Sequence, residues 1–275
     1  TGYDLTSLMI GSEGTLGIIT KIVFRLIPLP KNDITMLVSF NSAERACEAV
    51  SAVFCEGITP SALEFIERDA VEWTLRHVDI DVRIEKQVAA FLLIEVDGDS
   101  MEELYNDCER ITKVMEEFHS GEILVADNDS QKNKLWKLRR SISDSVKFNS
   151  VYKEEDTVVP RAELPKLLSG VKSIGNKYGF QSVCYGHAGD GNLHVNIIKG
   201  NMSEEDWNIK LKKGIREIFH LTKNLGGTIS GEHGIGLVQK EYMDIVFTKK
   251  EIDIQKKIKN IFDPNLILNP GKIFI

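Results

Sequence analysis

Residues 88–96 read V-A-A-F-L-L-I-E-V. An apolar run this short and this nearly unbroken fits a strand in the middle of a sheet, with neighbours on both sides. Turn residues Asp97-Gly98-Asp99-Ser100 end it. Residues 101–119 then form a long amphipathic helix and 122–126 a strand. Upstream the order is similar. Residues 34–40 read as a strand. Ser42 caps a helix that runs to about residue 56, with Ala46, Ala49, Val50 and Val53 at helical spacing and Gly57 as its stop. Residues 62–66 are a short strand and 68–77 a helix. Strand–helix–strand occurring twice in succession is the split βαβ pattern of a ferredoxin-like unit.

The pattern returns downstream. Residues 129–148 read as a helix with Arg139 and Arg140 mid-helix and Ser143 four residues after Arg139 on the same face. A strand over 151–159 carries Lys153. A helix over 163–178, strands over 180–186 and 193–198, and a helix over 204–225 ended by Gly226-Gly227 complete the repeat. The last helix, 248–261, has a basic tip of Lys256, Lys257 and Lys259. The expected fold is therefore α+β: a large, mainly antiparallel sheet of two ferredoxin-like halves, with helices mainly on one face. Ahead of it, Gly11, Gly14 and Gly17 frame a loop with the Ser12 and Thr15 hydroxyls, and residues 18–27 read as a strand stopped by Pro28 and Pro30. Such a loop offers N–H groups and hydroxyls to an anion such as a pyrophosphate, and equally fits an ordinary turn before a strand.

Composition narrows the class. The 275 residues are 42% hydrophobic and 27% charged with net charge −7, which is a globular chain. No Lys/Arg tract gives the footprint of a nucleic-acid binder, so no nucleic-acid partner is expected. No apolar run reaches the roughly 18 residues of a membrane span. Cys47, Cys55, Cys108 and Cys184 are scattered, which fits free thiols in a reducing compartment.

The chemistry concentrates in residues 184–196, C-Y-G-H-A-G-D-G-N-L-H-V-N, and 230–236, S-G-E-H-G-I-G. A hairpin through A-G-D-G-N-L sets His187 beside His194, and strand alternation points Asn196 the same way as His194. Two imidazoles and the Glu232 carboxylate make a divalent-metal ligand set with open positions, compatible with Zn, Mn or Fe. Gly231 and Gly234 allow a bend that brings Glu232 and its neighbour His233 to one pocket. The unperturbed imidazole pKa of about 6.5 suits His233 to general-base work. The bland reading stands beside this one: two histidines this close are commonly unrelated, and an arginine on a helix is commonly solvated. His77, His119 and His220 fall in helical segments and read as structural or surface residues.

Taken together, Y-G-H-A-G-D-G-N-L-H-V-N, S-G-E-H-G-I-G, the tail N-P-G-K-I-F and the opening T-G-Y-D-L-T-S-L-M-I-G-S-E-G-T-L-G-I-I-T resemble the C-terminal part of FAD-linked 2-hydroxy-acid dehydrogenases of the vanillyl-alcohol oxidase type. Those include the glycolate oxidase flavoprotein subunit, D-lactate dehydrogenase and D-2-hydroxyglutarate dehydrogenase. The resemblance covers the whole chain. It implies FAD and a divalent metal as cofactors, with metal ligands His187, His194 and Glu232 and with His233 as the base. It implies that Arg139, Lys153, Ser143 and Asn196 bind the substrate. Gly11, Ser12, Gly14, Thr15 and Gly17 would lie along the flavin nucleotide, with Asn269 returning to it. The implied division is a remnant of the FAD-binding domain over 1–30, a substrate (cap) domain over 31–262 and a tail over 263–275. The chain starts at Thr1 inside a motif, so the expectation is a fragment that alone holds no FAD and does not turn over. The resemblance further implies a small 2-hydroxy-acid substrate, an unknown electron acceptor, and a homodimer or partner subunits of a glycolate-oxidase-like complex. The implied location is cytoplasmic or peripheral to a membrane. Two other readings use the same residues: a flavin-independent metal hydrolase, and a non-catalytic interaction domain that tolerates His187→Ala.

Overall fold

The structure, a computed structural model, describes residues 1–80, 82 and 84–274. After a short helix α1 (Leu5–Met9), the first half runs β1 (Asn32–Phe40), α2 (Ala43–Cys55), β2 (Ala62–Glu67), α3 (Arg68–Leu75), β3 (Ala90–Gly98), α4 (Met101–Glu117) and β4 (Ser120–Val125). Helices α5 (Asp129–Arg140) and α6 (Ile142–Asn149) lead to the second half. That half comprises β5 (Tyr152–Val158), α7 (Leu164–Tyr178), β6 (Gln181–Gly186), β7 (Asn192–Ile198) and α8 (Glu204–Asn224). Helices α9 (Met243–Val246) and α10 (Lys249–Phe262) precede the tail, whose residue 275 lies outside the described residues. Among the described residues no helix is long and apolar enough to cross a membrane.

The seven strands form one sheet in the order β4-β1-β3-β2-β6-β7-β5, every pair antiparallel. β3, the strand of the 88–96 run, is flanked by β1 and β2 as its composition requires. The order β4-β1-β3-β2 is a ferredoxin-like half. The second half repeats it as far as β6-β7-β5. Where its fourth strand would lie, only one bridge, Val158 to Thr228, is formed. The halves meet at Phe65–Gly186 and Ile66–Tyr185, a short seam. An ion pair reinforces it: the buried Glu67 carboxylate accepts from half-buried Lys172 Nζ at 2.7 and 2.8 Å and from the Cys184 N–H at 2.6 Å.

Alternation sorts side chains to two faces. Met36, Phe65, Leu92, Ile94, Val195 and Ile197 face a core closed by α2, α4, α7 and α8. The second face is also covered: Leu37, Ile66, Leu93 and Tyr185 pack with residues of α3, α5 and α6. The long helices lie on one side as expected, and the three shorter ones occupy the other.

Three expectations need correction. Residues 18–27 form no strand; they are irregular and exposed, with Phe24 at 76% and Leu26 at 86%. β-branched composition cannot make a strand without a neighbour to pair with. The helix expected over 129–148 breaks at Ser141, so Arg139 and Arg140 sit in the last turn of α5, where cations suit the helix dipole. Lys259 is not part of a solvated tip: it is buried, and its Nζ donates to Asp263, Thr15 O and Leu268 O at 2.6, 2.8 and 2.9 Å.

Candidate active site

The site lies on the second face, at the hairpin between β6 and β7. That hairpin turns through Gly191 at φ +76, where a Cβ would meet Val159 O at 2.0 Å, so only glycine fits. His187 follows β6, and His194 lies within β7, 5% exposed, with ring centroids 5.7 Å apart. Past the Val158–Thr228 bridge the chain bends and delivers Glu232 and His233. The Nε2 atoms of His187 and His194 stand 3.7 and 3.5 Å from Glu232 Oε1. One ligand atom from each of the three residues lies within 4.8 Å of the others. The His233 ring is 5.1 Å from that of His194, and its Nε2 is 3.9 Å from Glu232 Oε1.

Both imidazoles of the hairpin have a carboxylate near Nδ1, hydrogen-bonded at His187 and not at His194. His187 Nδ1 is 2.7 Å from Glu64 Oε1, and His194 Nδ1 faces Glu154 Oε1 at 3.3 Å. A carboxylate on the second ring nitrogen fixes the tautomer that leaves Nε2 free to ligate. Burial alone would push the Glu64 carboxyl up, but the His187 hydrogen bond and the Arg139 charge outweigh it and hold it below the usual range. The same Glu64 bond raises the His187 imidazole against its burial. Glu154 is likewise held down by His194 and His233 despite burial. A second ligand-like group, Glu154, His194 and His233, shares His194 with the first. Asp156, fully buried, accepts from the backbone N–H groups of Gly231, Glu232 and His233 and from Asn192 Nδ2. Those bonds outweigh the burial that would raise its carboxyl.

Arg139 enters from α5. Its Nε and Nη2 lie 2.8 and 2.7 Å from Glu64 Oε2, and its guanidinium carbon is 5.2 Å from the Tyr185 ring centre. Buried Asn196, fully out of solvent, makes no hydrogen bond through either side-chain atom among the described residues, and neither does the Tyr185 hydroxyl. Burial and the Glu154 charge push the Tyr185 phenol up to about 12, opposed by neighbouring Ser143 and Asn196. Unmet buried polar atoms next to an arginine mark a place that fits a polar ligand. A cavity of ≈ 210 Å³ also reaches His187 and is lined by Glu64, Leu63, Phe54 and Arg161.

Of the residues expected here, His187, His194, Glu232, His233, Arg139, Ser143 and Asn196 converge. Lys153 does not. It pairs in register with Ile197, whose side chain faces the opposite core, and its Nζ is taken by Glu155 Oε1 at 2.9 Å and Glu154 O at 2.8 Å. Glu64, Glu154, Asp156 and Tyr185 were not anticipated. The legible signal was carboxylates in strand positions that alternation turns inward, as in A-L-E-F-I-E and K-E-E-D.

The loop over 11–17 is braced by its own hydrogen bonds and by the tail, and Gly11, Ser12 and Thr15 line a cavity of ≈ 160 Å³. The Thr15 N–H and hydroxyl bond to Ser12 O, while Asn269 Nδ2 donates to Glu13 O and Gly14 O at 3.1 and 2.9 Å. Gly14 packs against Asn269 so closely that a Cβ would meet its Nδ2 at 2.6 Å. Gly11 and Gly17 have open space around them.

Fold and site together define an α+β domain of two ferredoxin-like halves that presents histidines, a glutamate and an arginine on one sheet face. Residues 29–273 match the family described as FAD linked oxidases, C-terminal domain, and the chain belongs to it. It is 34% identical over 278 residues to a D-lactate dehydrogenase of Anaerostipes hadrus, covering 99% of this chain and 58% of that protein. It is 34% identical over 274 residues to glycolate oxidase subunit GlcD of Bacillus subtilis, covering 99% and 57%. A D-2-hydroxyglutarate dehydrogenase of Stutzerimonas stutzeri is 32% identical over 277 residues, covering 100% and 59%. The chain thus spans under three-fifths of the length of these relatives. Among solved structures, p-cresol methylhydroxylase with substrate bound superposes with a TM-score of 0.72 at 15% identity, covering 100% of this chain and 58% of that one. Alkyldihydroxyacetonephosphate synthase gives 0.63 at 14%, covering 98% and 50%. At such identities the likeness is one of fold alone.

Proposed function

We propose that the chain forms the substrate-binding part of an FAD-linked dehydrogenase that oxidises a D-2-hydroxy acid to the 2-oxo acid with a divalent cation held by His187, His194 and Glu232. The observation that carries this reading is the pairing of imidazole nitrogens. Both Nε2 atoms converge on Glu232 Oε1 at 3.7 and 3.5 Å, while the Glu64 carboxylate holds His187 Nδ1 at 2.7 Å and Glu154 Oε1 lies 3.3 Å from His194 Nδ1. The names of the relatives, D-lactate dehydrogenase, glycolate oxidase subunit and D-2-hydroxyglutarate dehydrogenase, support the substrate class.

The residues divide the work. Arg139 is held by Glu64 along its Nε edge, which leaves Nη1 for the substrate carboxylate. Asn196 and the Tyr185 hydroxyl supply the unmet polar atoms beside it. Bound at the three ligands, a divalent cation would lower the pKa of the α-hydroxyl. His233, whose ring stacks obliquely by His194, takes the hydroxyl proton. FAD, when bound, would supply the hydride acceptor for the α-hydrogen. In this reading the 11–17 loop and Asn269 belong with the flavin-binding part, residues 31–262 form the cap, and Lys153 has a structural role.

Two measurements test the reading. The purified chain should take up one equivalent of Zn²⁺ or Mn²⁺, and His187→Ala or Glu232→Gln should cut that affinity about a hundredfold; a chain that stays metal-free overturns the metal assignment. The complete gene product loaded with FAD should reduce an artificial electron acceptor with D-lactate, glycolate or D-2-hydroxyglutarate, and Arg139→Met should raise KM for the acid at least tenfold. Silence towards all three acids overturns the substrate class.

A further inference from the structure

Residues 231–236 belong to no helix or strand, yet none of their backbone N–H groups is left to water. All six donate to side-chain oxygens. Asp156 Oδ2 accepts from Gly231, Glu232 and His233 at 2.9, 2.7 and 2.8 Å. Ser230 Oγ accepts from Gly234 at 2.8 Å. Glu13 Oε1 and Oε2 accept from Ile235 and Gly236, each at 2.7 Å. Consecutive amides that converge in this way form an anion-binding concavity, and here the anions are the protein's own carboxylates. Bonds to an ionised acceptor are roughly twice as strong as neutral ones.

The arrangement has a topological origin. The fourth strand of the second half stops after the Val158–Thr228 bridge, so the amides that a continuing strand would have paired need other acceptors. Asp156 supplies one from β5 and Glu13 the other from the N-terminal loop. The fit is close on both sides. At Gly231 a Cβ would meet Asn192 Nδ2 at 2.6 Å, and at Gly234, with φ +79, it would meet Glu13 Oε1 at 2.8 Å. Glu13 itself has φ 54, a left-handed conformation that non-glycine residues rarely adopt. Backbone strain of that kind persists where the surroundings over-determine it.

We propose that Asp156 and Glu13 are positioning residues that lock the 231–236 bend, so that Glu232 and His233 point at His194 before any ligand arrives. Glu13 also ties the bend to the 11–17 loop, so the aim of His233 follows the seating of that loop. The inference rests on the metal and base roles given above to Glu232 and His233, but the locking itself does not need a metal.

Amide hydrogen exchange on the metal-free chain reads the lock directly. In the wild type, amides 231–236 should exchange at least about tenfold more slowly than unstructured peptide. Asp156→Asn should release 231–233 and spare 235–236, and Glu13→Gln should do the reverse. The second readout is a cycle on Zn²⁺ affinity. Asp156→Asn should lower affinity about tenfold to a hundredfold in the wild type, and by less than about twofold once Glu232 is already Gln. Wild-type amides that exchange at peptide rates, or losses that multiply in the double variant, overturn the proposal. Should Asp156→Asn fail to fold, the Glu13→Gln exchange pattern decides: loss confined to 235–236 supports the lock, and no loss overturns it. A wild type that binds no Zn²⁺ defeats the metal reading while leaving the exchange pattern as the measure of the lock.

Discussion

Glu64 touches both poles of the site. One oxygen holds His187 Nδ1 and the other holds Arg139, so a single carboxylate orients a proposed metal ligand and the proposed carboxylate anchor. Glu64→Gln should lower Zn²⁺ affinity of the chain by about tenfold to a hundredfold, read by competition with a chromophoric chelator; an unchanged affinity would remove Glu64 from the site. No motif announces this residue, because its role depends on β2 lying next to β6, a pairing between the two halves that local patterning does not contain. The Lys153 expectation failed for a related reason. Whether Lys153 or Glu154 shares a face with Asn196 depends on cross-strand register, and Glu154 is the residue opposite Asn196. His187, His194, Glu232 and His233 were legible because their placement needs only a hairpin, strand alternation and two glycines.

At the scale of elements, most strands and helices of both halves were readable from periodicity, since most contribute a regular apolar stripe; β5, which buries Glu155, Asp156 and Thr157, does not. The misreadings concern segments whose state depends on a neighbour. Residues 18–27 carry strand composition but have no strand beside them among the described residues. The seam between halves is equally invisible in sequence, and it makes a testable claim. Only two residue pairs join β2 to β6, and the Glu67–Lys172 pair adds to the helix packing that also holds the halves together. Lys172→Met leaves a carboxylate that is 7% exposed without its cation and should destabilise the chain by about 2–3 kcal/mol in urea unfolding. Adding Glu67→Leu should recover part of the loss. A Lys172→Met chain as stable as the wild type would mean that strand pairing and core packing hold the seam without the ion pair.

For the molecule as a whole, pH should act most clearly on the alkaline side. The buried Cys184 thiol is pushed from 9.0 to about 12 by burial and by Glu67, and the Tyr242 phenol from 10.0 to about 12, chiefly by burial. Above pH 9 the unfolded chain therefore sheds protons that the folded chain keeps, so stability contributed by these groups is present below their unfolded values and falls as pH rises towards the folded ones. Urea midpoints should decline from pH 8.5 to pH 10.5, and Cys184→Ala should make that decline shallower; an equal slope would exclude Cys184 as a source. Residues 18–29 expose Ile18, Ile22, Val23, Phe24, Leu26 and Leu29 together, an apolar stretch of the kind that marks an interaction surface.

The unfinished fourth strand of the second half also makes the two ends of the sheet unlike. At the β5 end the returning chain seals the edge, through reciprocal bonds between Val158 and Thr228 and a further one from the Gly231 N–H to Asp156 O. At the other end β4 has no neighbour on its outer side among the described residues. Among the described residues the β4 edge is thus open along its length, while the β5 edge is covered over 156–158. An exposed strand edge of this kind can accept an extended peptide by backbone pairing. Pairing at β4 leaves β4, β1, β3 and β2 between the newcomer and the histidines of β6 and β7, so self-association by this route would leave the chemistry accessible.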